Sequence, residues 1–216
     1  MFSGKRNVTS TMLCGPAEFS KSFMFEVAIY WAEEGHRVVY ITPAPLDSLP
    51  AACHDRSNPA PAAFRLMRFM YLENYEALVQ ELVRLHTYAV LPSVLLIDDF
   101  DAYIEDYENT KSMRDAHVAK TCALILDTMN SCSRILKNAT RACIWSTSAM
   151  SANDSSIYSM YFNDAWIVTN EEESKTILLK RYGRRGSAEK SKSYRYRKLE
   201  DGTRVLKQIL CETDEN

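Results

Sequence analysis

Residues 8–28 read VTSTMLCGPAEFSKSFMFEVA, and they predict a β-strand, a tight loop and the start of a helix. The strand ends in the apolar run Met12-Leu13-Cys14. The helix, expected over about residues 20–34, carries apolar side chains at the spacing of one helical face, namely Phe23, Val27, Tyr30 and Trp31. A second strand follows at 37–42 and ends before Pro43. This order predicts a βαβ unit with parallel strands and a right-handed crossover.

The loop between the first strand and the helix differs at one position from the phosphate-binding pattern GxxxxGK[ST]. It runs from Gly15 to Ser22, and Ser20 stands where the pattern has its second glycine. In such a loop, backbone N–H groups and the helix dipole hold phosphate, Lys21 reaches the β- and γ-phosphates, and the Ser22 hydroxyl binds Mg²⁺. All four residues are therefore predicted to bind a nucleotide such as ATP, more weakly than an intact loop because serine crowds position 20. The alternative is a chance match at the start of a helix.

A second part of the same site is predicted after the apolar strand Val94-Leu95-Leu96-Ile97. This strand would carry Asp98 to the edge of the sheet beside the phosphate loop, where its carboxylate binds Mg²⁺ directly or through a water. Asp99 is the candidate to polarise an attacking water. The alternative is a buried strand followed by a solvated acidic loop, since acidic residues continue to Glu108. Because the two motifs occur in the expected order, we favour a site for ATP and Mg²⁺.

The composition indicates one globular domain over residues 1–216. The chain is 46% hydrophobic and 25% charged, with a formal net charge of −2. It has no apolar run of about 18 residues, so we expect no transmembrane helix and no membrane partner. The N-terminal residues lack the apolar segment of a signal peptide. The six cysteines are scattered without a CxxC pair, which argues against a zinc site or a disulfide framework.

The rest of the chain predicts further elements of an α/β fold. Hydrophobic periodicity indicates two helices, at 73–86 and 113–137, and two buried strands, at 142–148 and 164–169. An antiparallel set is expected at the C-terminus, with strands at 176–182, 194–197 and 203–209 and a two-residue turn at Asp201-Gly202. The fold class is therefore a central, mostly parallel sheet flanked by helices, with a C-terminal antiparallel hairpin.

One segment near the C-terminus is strongly basic although the whole chain is nearly neutral. Residues 180–198 contain nine Lys and Arg side chains and a single acid, Glu189. Basic side chains interleaved with Tyr182, Tyr194 and Tyr196 combine phosphate neutralisation with rings on which bases stack, a pattern typical of single-stranded DNA binding. The alternative is an edge strand protected from aggregation by its charge. The candidate DNA-binding residues are Arg181, Arg184, Arg185, Lys190, Lys192, Arg195 and Arg197.

The order of these elements resembles the SWIM-domain-associated protein family, whose members are RecA-type recombinase paralogues. The resemblance spans about residues 8–210 and includes SVLLIDDFDAYI at 93–104, and its more specific segments are VVYITPAPLDSLP at 38–50 and MRFMYLENYEALVQELVRLH at 67–86. It implies a RecA-like P-loop core that serves as the ATPase-like subunit of a Shu-type complex in the nucleus. The implied partners are a SWIM zinc-finger protein in a heterodimer, single-stranded DNA, and a recombinase filament that is promoted or protected during homologous recombination.

The resemblance also carries roles over to particular residues. Gly15, Lys21 and Ser22 would hold the nucleotide and Mg²⁺, with Asp98 as the second Mg²⁺ ligand. Active recombinases place a water-activating acid after the second strand, whereas this chain has Thr42-Pro43-Ala44-Pro45 there. Loss of a positioned general base costs about 10²–10⁴ in rate. We therefore expect slow hydrolysis supported by Asp99, or binding without turnover.

Three functions remain open on the sequence alone. The first is a DNA-stimulated ATPase that acts on recombinase filaments. The second is a non-hydrolysing scaffold with a relict nucleotide site, which acts through its partner interface. The third is a small-molecule P-loop kinase, which is disfavoured because the basic cluster lies in the terminal hairpin and not in a lid between helices. The partner would bind either the proline-rich loop at 43–62 or an edge strand of the sheet.

Overall fold

The computed structural model describes residues 7–46, 48–50, 59–104, 111–147, 157–171, 175–182 and 192–211. The helices in these ranges are α1 (Ala17–Glu33), α2 (Pro61–Phe64), α3 (Tyr75–Leu85), α4 (Lys111–Leu136) and α5 (Tyr158–Tyr161), with a 3₁₀ turn at Phe100–Tyr103. The strands are β1 (Val8–Cys14), β2 (Val38–Thr42), β3 (Met67–Tyr71), β4 (Val94–Ile97), β5 (Thr140–Ser146), β6 (Asp164–Glu171), β7 (Thr176–Tyr182), β8 (Lys192–Lys198) and β9 (Arg204–Cys211).

Within the described residues, these strands form one nine-stranded sheet in the order β3-β2-β4-β5-β1-β6-β7-β8-β9. The pairs from β3 to β6 are parallel, and the pairs from β6 to β9 are antiparallel. Cys14 at the end of β1 lies opposite Ser146 of β5 and Ile167 of β6, so the carboxyl ends of the central strands meet at one edge. The predicted fold class, a mostly parallel α/β sheet with antiparallel strands at the C-terminus, is confirmed.

Successive strand residues point to opposite faces of the sheet and build two hydrophobic cores. On the face covered by α1, here the α1 face, the buried side chains include Leu13, Tyr40 and Trp145. On the face covered by α3 and α4, here the α4 face, they include Met12 and Ile41. The apolar stripes predicted for the two later helices are confirmed. The residues that line them, Leu78, Leu82, Leu85, Cys122, Ile125, Met129 and Cys132, are all fully buried.

Helix α1 packs on the sheet with a side that shares only the buried Phe23 with the predicted stripe. Its buried positions include Met24, Ala28 and Ala32, whose small alanine side chains allow the helix to approach the strands closely. The rest of the predicted stripe lies on the flank of the helix, where Tyr30 is 51% exposed and Trp31 is half-buried. The flank of α1 therefore presents aromatic surface beside the uncovered part of the α1 face.

Several boundaries also differ from the predicted ones. Strand β3 has no counterpart among the predicted elements, because it is a half-exposed edge strand without strict alternation of apolar residues. The connection between β8 and β9 is longer than a two-residue turn: the Leu199 N–H donates to the Thr203 carbonyl at 2.8 Å, and Gly202 adopts a φ of 86°. The segments that precede α5 and β8, residues 148–156 and 183–191, lie outside the described residues.

Among the helices described, none combines the length and the apolar character that a bilayer crossing requires. The described residues also contain no group of three or more His, Cys, Asp or Glu side chains placed to hold a metal ion.

Candidate functional site

The segment from Gly15 to Ser22 is folded differently from the loop predicted for it. Strand β1 ends at Cys14 and α1 begins at Ala17, so only two residues lie between them. Pro16 precedes the helix with a φ of −57°, which suits a helix start because the proline ring fixes φ near this value. From Ser20 onward the backbone N–H groups point to carbonyls one turn back and not into a cavity. The helix therefore begins at Ala17 and not at about residue 20 as predicted, while the nucleotide-binding roles of Gly15, Ser20, Lys21 and Ser22 stay predictions.

Gly15 is required by packing between strands. A Cβ atom at this position would lie 2.8 Å from both the Cβ and the carbonyl oxygen of Val168 on β6. The Gly15 N–H donates to the Ser146 carbonyl of β5 at 3.1 Å, which ties the segment to the neighbouring strand on the other side. The space that a glycine leaves open in a phosphate loop is filled here by the protein itself.

Ser20 and Asp98 are hydrogen-bonded to each other inside the protein. The Ser20 hydroxyl donates to Oδ1 of Asp98, and the Tyr40 hydroxyl of β2 donates to Oδ2 at 3.1 Å. Ser20 is 3% exposed and Asp98 is 1% exposed. Burial raises the pKa of the Asp98 carboxyl, while the two hydroxyl donors and the positive charge of Lys21 act in the opposite direction. The serine that replaces the expected glycine thus supplies a donor to the predicted metal ligand.

Lys21 and Ser22 line a pocket beside this buried cluster. The Lys21 side chain is exposed and lines a pocket of about 290 Å³, which also contacts Lys198 and the buried Arg204. The Ser22 hydroxyl donates to the Phe19 carbonyl of its own helix at 3.0 Å. Asp98 thus lies inside the core, whereas Lys21 lines an open pocket whose lining does not include Asp98, although the positive charge of Lys21 still acts on the Asp98 carboxyl.

These contacts decide whether the residues fit ATP with Mg²⁺. A phosphate loop is absent from residues 15–22, the Ser22 hydroxyl is bonded within its own helix, and the Asp98 carboxylate receives two protein donors in place of a metal. The residues in this arrangement do not fit a Mg²⁺–nucleotide complex. Their predicted roles as nucleotide and Mg²⁺ ligands find no support in the geometry.

The acids after β4 have separate environments. Asp99 is half-buried and starts the 3₁₀ turn with a φ of 49°, and its predicted role in activating water stays a prediction. Asp101 is 2% exposed and accepts hydrogen bonds from the hydroxyls of Ser146 at 3.1 Å and Thr147 at 2.9 Å, with a guanidinium nitrogen of Arg114 at 3.9 Å. Asp101 is not among the residues predicted for the site; its signal in the sequence is an acid shortly after β4 combined with hydroxyls at the end of β5.

The predicted DNA-binding residues are only partly described. Arg184, Arg185 and Lys190 lie outside the described residues. Arg181 is described, and its guanidinium forms an ion pair with Asp164 across strands β7 and β6. Its charge is therefore balanced locally by a carboxylate.

Strand β8 carries the other predicted contacts and separates them by face. Tyr194 and Tyr196 point to the α1 face together with Lys192, and Tyr196 packs edge-on against a phenylalanine of α1. Arg195 and Arg197 point to the α4 face, because successive strand residues alternate. The interleaved pattern in the sequence therefore does not form one surface: the tyrosines and the arginines of β8 lie on opposite faces.

The similarity of this chain to known proteins is clear only at the level of structure. No protein-family model matches the sequence, and no curated protein is significantly similar to it. The crystal structure of the RadB recombinase is similar, with a TM-score of 0.64 and 13% identity over 93% of this chain and 91% of that one. The fold is RecA-like. A solved ATPase domain has a TM-score of 0.60 and 9% identity, over 95% of this chain and 86% of that domain.

A DnaB-like replicative helicase is also similar, with a TM-score of 0.58 and 8% identity. The similar region covers 93% of this chain but only 57% of the helicase chain. At these identities the likeness establishes the fold alone.

Proposed function

We propose that this chain is a RecA-like subunit that acts in homologous recombination by binding other molecules and not by turning over ATP. The observation that carries the proposal is the buried hydrogen bond between Ser20 and Asp98, the predicted Mg²⁺ ligand. A carboxylate that is already bonded to Ser20 and Tyr40 has to be stripped of both donors before it coordinates a metal. This favours the scaffold with a relict nucleotide site over the DNA-stimulated ATPase.

The proposed partners follow from the resemblance to SWIM-domain-associated proteins. We propose a heterodimer with a SWIM zinc-finger protein, binding of single-stranded DNA, and support of a recombinase filament in the nucleus. The likeness to the RadB recombinase agrees with the RecA-type core that this family implies. The basic C-terminal strands supply the charge that single-stranded DNA requires.

Nucleotide use remains the general expectation for a fold whose neighbours include an ATPase domain. The competing function is therefore a weak, DNA-stimulated ATPase in which Lys21 and Asp98 act together after a rearrangement of the start of α1. Such a rearrangement would need to unwind residues 17–22 and to break the Ser20–Asp98 hydrogen bond.

The test uses the chain co-expressed with its SWIM zinc-finger partner. Isothermal titration with ATP and Mg²⁺ is expected to give no saturable binding, and ATP turnover is expected to stay at background with or without single-stranded DNA. DNA binding of the pair is expected to be the same with and without ATP. Saturable nucleotide binding that disappears in Lys21→Ala would refute the proposal and establish the ATPase instead.

A further inference from the structure

The α1 face of the C-terminal strands carries a row of basic and aromatic side chains. Along β8 the residues that point to this face are Lys192, Tyr194, Tyr196 and Lys198. The two lysines are exposed and the tyrosines are half-buried. The two lysines lie six positions apart in the strand, which corresponds to a track of about 20 Å at about 3.4 Å per residue.

An aromatic groove lies beside this track. Its volume is about 440 Å³, and it lies between the flank of α1 and strands β4, β5, β1, β6 and β7, with mostly apolar side chains in its lining. Trp31 on α1 and Trp166 on β6 form its aromatic walls, while Thr9 and Thr11 contribute hydroxyls to its floor. The Trp166 ring lies 5.7 Å from the Tyr194 ring, which joins the groove to the track.

We propose that the aromatic groove and the neighbouring track on β8 together form the binding site for single-stranded nucleic acid. The inference deepens the proposed function, because it rests on DNA binding and assigns the surface that performs it. Rings that are half-exposed on a concave surface offer stacking platforms for bases, and neighbouring cations neutralise phosphates. The arginines of β8, which the sequence pattern also suggests as contacts, lie on the other face.

The charges around the groove favour an anionic ligand. The guanidinium of Arg141 lies over the Trp31 ring, 4.0 Å from its centroid, at the wall of the groove. Lys192 adds an exposed cation on the same face, whereas the charge of Arg181 is balanced by Asp164. A purely apolar partner segment would make no favourable interaction with these cations.

One negative charge, that of Glu34, lies near the groove and disfavours the binding of phosphate. The pKa of the neighbouring His36 imidazole is lowered, chiefly by burial and then by the positive charge of Arg141, while the negative charge of Glu34 acts in the opposite direction. A carboxylate therefore lies close to this end of the groove. We expect the resulting site to rely on stacking more than on charge, and thus to show a shallow dependence on salt.

The test compares charge reversals on the two faces of the same hairpin. Lys192→Glu changes the track beside the aromatic groove, and Arg197→Glu makes the same change on the α4 face. Binding of an oligo(dT) to the SWIM heterodimer is measured by fluorescence anisotropy at several salt concentrations. Lys192→Glu is expected to weaken binding and to reduce the slope of log Kd against log salt by about 0.7, as for one lost phosphate contact on a single strand. Arg197→Glu is expected to leave the slope unchanged.

Tryptophan fluorescence gives a second readout. The chain has three tryptophans, and Trp145 is fully buried, so quenching by oligo(dT) would report on Trp31 and Trp166. Trp166→Ala is expected to weaken binding by about 5- to 150-fold, the range for loss of one base stack. Trp166→Phe keeps a ring and is expected to restore most of the affinity, which separates stacking from a loss of folding.

The outcomes are distinct. Failure of the wild-type heterodimer to bind oligo(dT) would overturn the DNA-binding part of the proposed function together with this inference. Loss of binding in Arg197→Glu with no effect of Lys192→Glu would overturn the inference alone. If Trp166→Ala released the SWIM protein and left DNA binding intact, the aromatic groove would be a protein-docking surface, which also overturns the inference.

Discussion

Replacing Ser20 by alanine tests whether the Ser20–Asp98 hydrogen bond stabilises the fold. Both side chains are almost fully buried, so water cannot replace the lost hydroxyl. A hydrogen bond to a charged group contributes about 1.5–3 kcal/mol, and alanine regains about 0.5 kcal/mol through its better helix propensity. The expected loss is therefore about 1–2.5 kcal/mol. For a chain of this size that corresponds to a fall in Tm of about 2–10 °C.

The assay is thermal unfolding followed by circular dichroism, with Ser22→Ala as the matched control. The Ser22 hydroxyl donates only to a carbonyl of its own helix, so its removal is expected to change stability by no more than about 0.5 kcal/mol. An ATPase would reverse this order in its activity, because Ser22 occupies the Mg²⁺-binding position of the motif. An unchanged Tm in Ser20→Ala, or a larger fall in Ser22→Ala, would refute the reasoning.

Three further predictions follow from burial and packing. Gly15→Ala places a methyl group 2.8 Å from Val168 and is expected to destabilise the chain by about 1–3 kcal/mol, measured by urea unfolding; an unchanged midpoint would mean that β6 yields easily. Because burial raises the pKa of Asp98 in the folded state, that state binds more protons, and this carboxyl makes stability fall as pH rises from its ordinary value of 3.8. Asp98→Asn is therefore expected to flatten the decline in unfolding free energy above pH 3.8. Identical pH profiles of the variant and the wild type would contradict this. Burial raises the pKa of the Cys122 thiol to about 12. Iodoacetamide at a pH of about 8 is therefore expected to modify the exposed Cys211 before Cys122, as measured by mass spectrometry of peptides. Equal rates of modification would contradict the burial of Cys122.

The fold was largely predictable from the sequence, because long apolar periods dominate it. The leucines of α3 and the buried run of β4 follow their periods closely, and both elements lie where they were predicted. Edge strand β3 was not predicted, because its exposure removes the contrast between an apolar and a polar face. The buried side of α1 was predicted only in part, because Val27 and Trp31 share a helical face with the buried Phe23. Periodicity alone does not distinguish the side of a helix that packs on the sheet from an apolar side next to it.

The candidate site was less predictable, for two physical reasons. The motif from Gly15 to Ser22 fixes residue types but not backbone conformation, and a loop and a helix start both accept these residues. The partner of Ser20 is 78 positions away in the sequence, so no local pattern reveals the hydrogen bond. The same limit applies to β8, where only the strand register separates Tyr194 from Arg195.

The serine at position 20 supplies a hydrogen-bond donor to Asp98 and is more than damage to a motif. A buried carboxylate without donors is costly, and in a nucleotide-binding site the ligand's metal would satisfy it. Here Ser20 and Tyr40 satisfy Asp98, so the fold needs no ligand at this edge. Ser20→Gly, which restores the consensus residue, is therefore expected to lower Tm and to give no stabilisation by ATP with Mg²⁺. A higher Tm in the presence of Mg²⁺–ATP would mean that the start of α1 still converts into a phosphate loop once the serine is gone.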